Sequence, residues 1–143
     1  MKKRINSLLI CVISCLFVGC GKKMEGLPEN PVQYKVDENI VDEFAAIVYD
    51  EKIFVLYGTF EGNYNKQLGK CIGYTDRNLS NDYEDDGQDT LIYELEGYSM
   101  EEWLVEVSQE FMESPSIWRE ITTKGEEKEM PECVKPYGYD FWQ

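Results

Sequence analysis

The sequence predicts a mainly β fold: a single antiparallel domain of about six strands, bent into a curved sheet or a small barrel. Three observations predict it. β-branched and aromatic residues gather in short runs at 45–49, 52–57, 67–75, 90–96, 103–107 and 117–122, which is the strand signature. Glycine, asparagine, proline or acidic pairs separate the runs. Apart from a single turn at 99–102, only 37–44 supports a helical reading, with Asp37 as its cap and Ile40, Val41 and Phe44 on one face; an α+β fold with that one helix is the alternative.

The domain does not begin at the first residue. Met1-Lys2-Lys3-Arg4 is followed by an apolar run from Leu8 to Val18 broken by Ser14, then Gly19 and Cys20. A basic start, a short apolar run and a small residue before a cleavage point form an export signal. About a dozen apolar residues at 1.5 Å each are too short for a permanent span. Leu16-Phe17-Val18-Gly19-Cys20 resembles the lipobox of bacterial lipoproteins. That resemblance implies removal of residues 1–19 and acylation of the Cys20 thiol, with palmitate-type chains as the anchor; two or three such chains hold stably where one does not. Residues 20–33, with two glycines, two prolines and no apolar period, read as a tether, and 34–143 as the globular domain.

Cleavage of 19 from 143 residues leaves 124, enough for one modest core. Three bases and no acid leave with the signal, so the formal charge moves from −14 to −17. A chain so acidic repels nucleic acid and anionic headgroups and favours cationic partners.

Each predicted strand has its own reason. Residues 45–49 and 52–57 flank Asp50-Glu51 as a hairpin, and because Asp-Glu is poor chemistry for a two-residue turn, a slightly longer loop is expected. In the second run Ile53, Val55 and Tyr57 face one way and Phe54, Leu56 and Phe60 the other. Both sets are apolar, so this strand is covered on both faces. Residues 67–75 place Leu68, Ile72 and Tyr74 opposite Gly69, Cys71 and Gly73; the small face suits a close backbone approach or a barrel corner. Residues 90–96 alternate, with Leu91, Tyr93 and Leu95 inward and Glu94 and Glu96 outward. Ser99 to Glu102 has capping-box spacing for one helical turn. Trp103, Val105 and Val107 then share a face, and 117–122 forms the last strand.

The segments Gly69-Lys70-Cys71-Ile72-Gly73-Tyr74, Ile92 to Val105 with its Tyr-Glu-Leu-Glu-Gly-Tyr-Ser core, and Ser116-Ile117-Trp118-Arg119-Glu120-Ile121 together resemble a loose group of small extracytoplasmic lipoproteins and domains of Gram-positive bacteria. The resemblance spans roughly 47–122. It implies a compartment and a domain boundary, and transfers no catalytic residue.

The candidate chemistry is sparse. The chain has no histidine, which removes the Ser-His and Cys-His nucleophile pairs and the commonest metal ligand. After cleavage and acylation only Cys71 and Cys133 remain. They either close a disulfide, worth about 4 kcal/mol in the chain-entropy picture, or stay as buried thiols. The acidic stretch from Asp82 to Asp89 offers Asp82, Glu84 and Asp86 at positions 1, 3 and 5 of a calcium loop with Gly87 at 6. Position 12, however, is Tyr93 and a strand follows, so a solvated loop is the competing reading. Glu94 and Glu96, about 7 Å apart along a strand, have a spacing that a wall-active glycosidase uses. Tyr137, Tyr139, Phe141 and Trp142 form either a stacking platform for a ligand or a tail that folds back and buries its rings.

The functional expectation is a lipid-anchored protein on the extracytoplasmic face of the cell membrane that is not an enzyme and binds or modulates a basic partner protein. A module for Ca²⁺ or another ligand, and a wall hydrolase using Glu94 and Glu96, are the alternatives; no other cofactor is expected.

Overall fold

A computed structural model describes residues 26–41, 44–76, 90–108 and 114–143. The expected export signal, Cys20 and the acidic stretch with Asp82, Glu84 and Asp86 lie outside the described residues. The strands are β1 (Val32–Val41), β2 (Phe44–Tyr49), β3 (Lys52–Phe60), β4 (Leu68–Asp76), β5 (Thr90–Leu95), β6 (Trp103–Val107), β7 (Ser116–Glu120) and β8 (Val134–Pro136).

They hydrogen-bond in the order β2-β1-β4-β5-β6-β7-β3-β8, and β2 also pairs with β3. That second pairing closes β1 to β7 into a seven-stranded barrel. The expected small, mainly β barrel is therefore what forms. Every pairing is antiparallel except β1 with β4. β8 continues along the β3 edge beyond β2, matching Gly58 to Pro136 and Phe60 to Val134.

The barrel interior takes an apolar side chain from each of its strands: Tyr34, Ile47, Phe54, Ile72, Ile92, Leu104 and Trp118. A second apolar cluster lies on the outside of β3, β5, β6 and β7, built on Phe60, Leu95, Trp103, Val105, Ile117 and Val134. Both faces of these strands are thus buried, which explains why β3 is apolar on both sides. The outer cover has two parts. β3 and β4 run the same way, so residues 61–67 cross over the barrel wall, stacking Tyr64 on Phe60 at 5.5 Å. The segment leading into β8 adds Met130 and Cys133.

Two glycines make the unusual pairings sterically feasible. A Cβ on Gly73 would lie 2.0 Å from the Val32 carbonyl oxygen, and one on Gly58 would lie 2.3 Å from that of Lys135. Only glycine lets β1 and β8 approach so closely.

Five expectations of the strand layout need correction. In β3 the register shift between Leu56 and Gly58 turns Phe60 to the outer cluster beside Tyr57, away from Phe54 and Leu56. Among the described residues of 37–44 no helix forms: Asp37 pairs with Ala46 and Val41 with Phe44, continuing a strand in which Val36 packs against the interior cluster, and burying that β-branched face in a sheet outweighs the weak cap. The tether reading of 32 and 33 ends early, since both residues pair with β4. The β2–β3 connection is not lengthened: Tyr49 pairs with Lys52, leaving Asp50 and Glu51 alone in the turn with φ of 48° and 65°. In β4, register shifts between Leu68, Cys71 and Gly73 break the simple alternation. Leu68 consequently joins the outer cluster while Ile72 faces the interior.

The C-terminal segment closes the outer wall around Arg119. This side chain is 4 % exposed, with its guanidinium 5.6, 5.3 and 5.1 Å from the ring centres of Tyr57, Trp103 and Trp142. Its Nε donates to Thr123 Oγ1 at 2.8 Å, and Nη2 donates to the carbonyls of Thr123 and Glu126. Trp142 completes the cage and donates its indole N–H to the Leu56 carbonyl at 2.9 Å. Cation–π contacts and carbonyl acceptors together offset the desolvation of a buried cation.

Candidate functional site

One end of the barrel gathers the features that the fold does not require for packing. β2 and β5 finish there and β3 and β6 begin there, so the β2–β3 turn and the 96–102 connection share that end. The first turn holds Asp50 and Glu51 in left-handed backbone, where a non-glycine residue costs roughly 1–2 kcal/mol. In the second, the Ser99 carbonyl accepts the N–H of Glu102 and of Trp103, and Ser99 Oγ accepts the Glu101 N–H at 3.2 Å. The expected capped turn is thus present as one tight turn without a helix. Lys52 and Glu101 link the two connections through an ion pair at 3.8 Å.

Two large apolar side chains stand out of this end, Tyr49 at 39 % and Met100 at 40 % exposure. Acid surrounds them. Asp50, Glu51, Glu96 and Glu101 are exposed and Glu94 is half-buried, with two bases at this end, Lys52 paired to Glu101 and Lys128 to Glu102. Glu94 and Glu96 lie together beside β4, their nearest atoms 3.0 and 3.2 Å from where a Gly69 Cβ would be. Glu94 pairs across from Leu104 and so takes the interior-facing side of β5. Its expected outward direction is reversed because the Leu91-Tyr93-Leu95 side is the covered outer wall.

Behind this rim lies Tyr34, 1 % exposed, its ring 4.9 Å from that of Tyr49. Its buried hydroxyl has no hydrogen-bond partner among the described residues. Burial pushes its pKa up to about 12, and the neighbouring Tyr49 and Glu94 add to the rise. The end of the barrel therefore combines an acidic rim, an aromatic wall and an unsatisfied polar atom. Such a surface attracts cations and gives apolar contact area to whatever it binds.

The other candidate residues are dispersed. Cys71 and Cys133 are separate, half-buried thiols; β5, β6, β7 and β3 stand between β4 and β8, so the disulfide alternative is not formed. Cys71 points its thiol at the Gly73 carbonyl at 3.8 Å, and burial raises its pKa. The aromatic tail folds back: Tyr139 and Phe141 pack on Phe44 at 5.3 and 5.6 Å, and Trp142 belongs to the Arg119 cage. Tyr137 alone of the four stays broadly exposed. Among the described residues no group of three or more carboxylates and thiols is arranged to hold a metal ion.

Tyr34, Tyr49, Asp50, Glu51 and Met100 were not marked by the sequence. The only signal was Asp50-Glu51 itself, a poor turn pair between two strong strands. Comparison with protein-family models, with curated proteins and with solved structures returns no match for this chain.

Proposed function

We propose that the chain is a membrane-anchored extracytoplasmic lipoprotein that works without catalysis, by binding a basic partner protein at the acidic end of its barrel. The observation that carries this reading is the exposure of Tyr49 and Met100 inside a rim of Asp50, Glu51, Glu94, Glu96 and Glu101. Exposed apolar side chains ringed by charge of one sign are what a protein-recognition surface needs: the charge steers encounter and the apolar centre holds the partner. The lipobox-like residues at 16–20 and the net acidity of the mature chain support the compartment and the sign of the partner.

A photo-crosslinking side chain at position 100 of the full-length protein, in its own membrane, tests this. A discrete adduct with a membrane or wall protein is expected, weakened by high salt and lost from the membrane fraction with Cys20→Ser. Absence of an adduct at position 100, beside an adduct from position 137, would move the surface to the tail and end this reading.

A further inference from the structure

The unsatisfied Tyr34 hydroxyl points to what the partner contributes. This inference rests on the reading above and specifies it. A buried hydroxyl without a hydrogen bond costs free energy that a folded protein normally recovers through a partner atom, and here the described residues supply none. The Tyr34 and Tyr49 rings lie 4.9 Å apart, and Glu94, opposite Leu104, takes the interior side of β5 on which Tyr34 is buried; Tyr49 and Glu94 both act electrostatically on the Tyr34 hydroxyl. The charge of this neighbourhood decides the sign of the missing group. Glu94 with Glu96 beside it, and Asp50 and Glu51 on the adjoining turn, repel an anion and attract a cation.

We infer that this end of the barrel is a site for a lysine ammonium of the partner protein, hydrogen-bonded to Tyr34 Oη and the Glu94 carboxylate and resting against the Tyr49 ring. The chemistry is complementary. An ammonium brings three donors, and the site offers a hydroxyl oxygen, a carboxylate and an aromatic face. Lys52, on the adjoining turn, is paired with Glu101 at 3.8 Å. The Tyr49 ring packs on that of Tyr34 at 4.9 Å and is itself 39 % exposed, and an exposed side chain changes rotamer fast.

The test is isothermal titration of the full-length protein in mild detergent with a trilysine peptide, triglutamate serving as the control. Trilysine binds and triglutamate does not; Glu94→Gln and Tyr34→Phe each weaken trilysine at least tenfold, whereas Glu132→Gln, far from this end, changes it less than twofold. Tyr34→Phe also raises the melting temperature of the free protein, because it deletes the unsatisfied hydroxyl. Folded Tyr34→Phe and Glu94→Gln variants that bind trilysine within twofold of the parent overturn the site, as does an equal loss with Glu132→Gln, which would mean diffuse charge attraction only. A position-100 crosslink that survives Tyr34→Phe alongside such a result would leave the partner reading standing and remove the ammonium site alone.

Discussion

Replacing Glu51 with glycine should stabilise the protein, and the size of the effect follows from the β2–β3 turn. Tyr49 and Lys52 are register partners, so Asp50 and Glu51 carry the whole reversal, with φ of 48° and 65°. A two-residue hairpin turn with both φ positive matches the twist of its strands and favours Asn-Gly or Asp-Gly. Aspartate tolerates its position; glutamate has no such excuse and costs roughly 1–2 kcal/mol there. Glycine relieves that strain but returns about 0.5–1 kcal/mol through the greater freedom of the unfolded chain. The net gain is about 0.5–1 kcal/mol, or roughly 2–8 °C in Tm for a domain near 100 residues. Thermal unfolding followed by circular dichroism measures it, with Glu51→Gln as the control that removes the charge and keeps the strain. A Tm that does not rise with Glu51→Gly, or rises equally with Glu51→Gln, would refute the argument from backbone strain.

Three further outcomes are expected. Tyr34 favours its neutral form in the folded state, so its contribution is complete below the unfolded pKa near 10 and is lost as pH climbs toward about 12; urea unfolding should show about 2–3 kcal/mol of alkaline destabilisation across that interval that Tyr34→Phe abolishes. Trp142→Ala opens the Arg119 cage and strands the Leu56 carbonyl, which should cost about 2–3 kcal/mol by denaturant titration. Alkylation of the unfolded chain without reductant should label both Cys71 and Cys133, since neither is bonded to the other; mass spectrometry showing an unreacted pair would contradict the strand arrangement between β4 and β8.

The fold was legible where one strand carried its whole signal locally. The two-sided apolarity of β3, the alternation of Trp103, Val105 and Val107 and the small side chain at Gly73 each named a real feature of the barrel. The two strands missing from the expected six are β1 and β8, and both form through distant partners. β1 loses its alternation to the register shift between Asp37 and Val41, which leaves a pattern that a short helix imitates. β8 is three residues ending in proline, with no propensity of its own; it exists because Gly58 admits it.

The candidate site was less legible for a related reason. Glu94 and Glu96 drew notice as a spaced carboxylate pair, yet their direction depended on which side of β5 was the barrel interior. That choice is set by closure of the whole sheet through β2 and β3, not by the alternation within β5. Tyr34 carries no signal of its own in the sequence, because an unsatisfied hydroxyl is a property of surroundings drawn from three strands. Trp142 belongs to an aromatic tail whose sequence allows either an open platform or a fold-back, and only the placement of Arg119 on the outer wall gives it a cage to close.

The most direct test of the central claim, that the acidic barrel end is the recognition surface, is a backbone amide NMR titration of the isotopically labelled protein with trilysine. Saturable shifts concentrated at 49–52 and 94–102, together with Tyr34, and fading as salt is raised, are the predicted result. Shifts centred on 137–143, or small shifts spread evenly over every acidic residue, would contradict it.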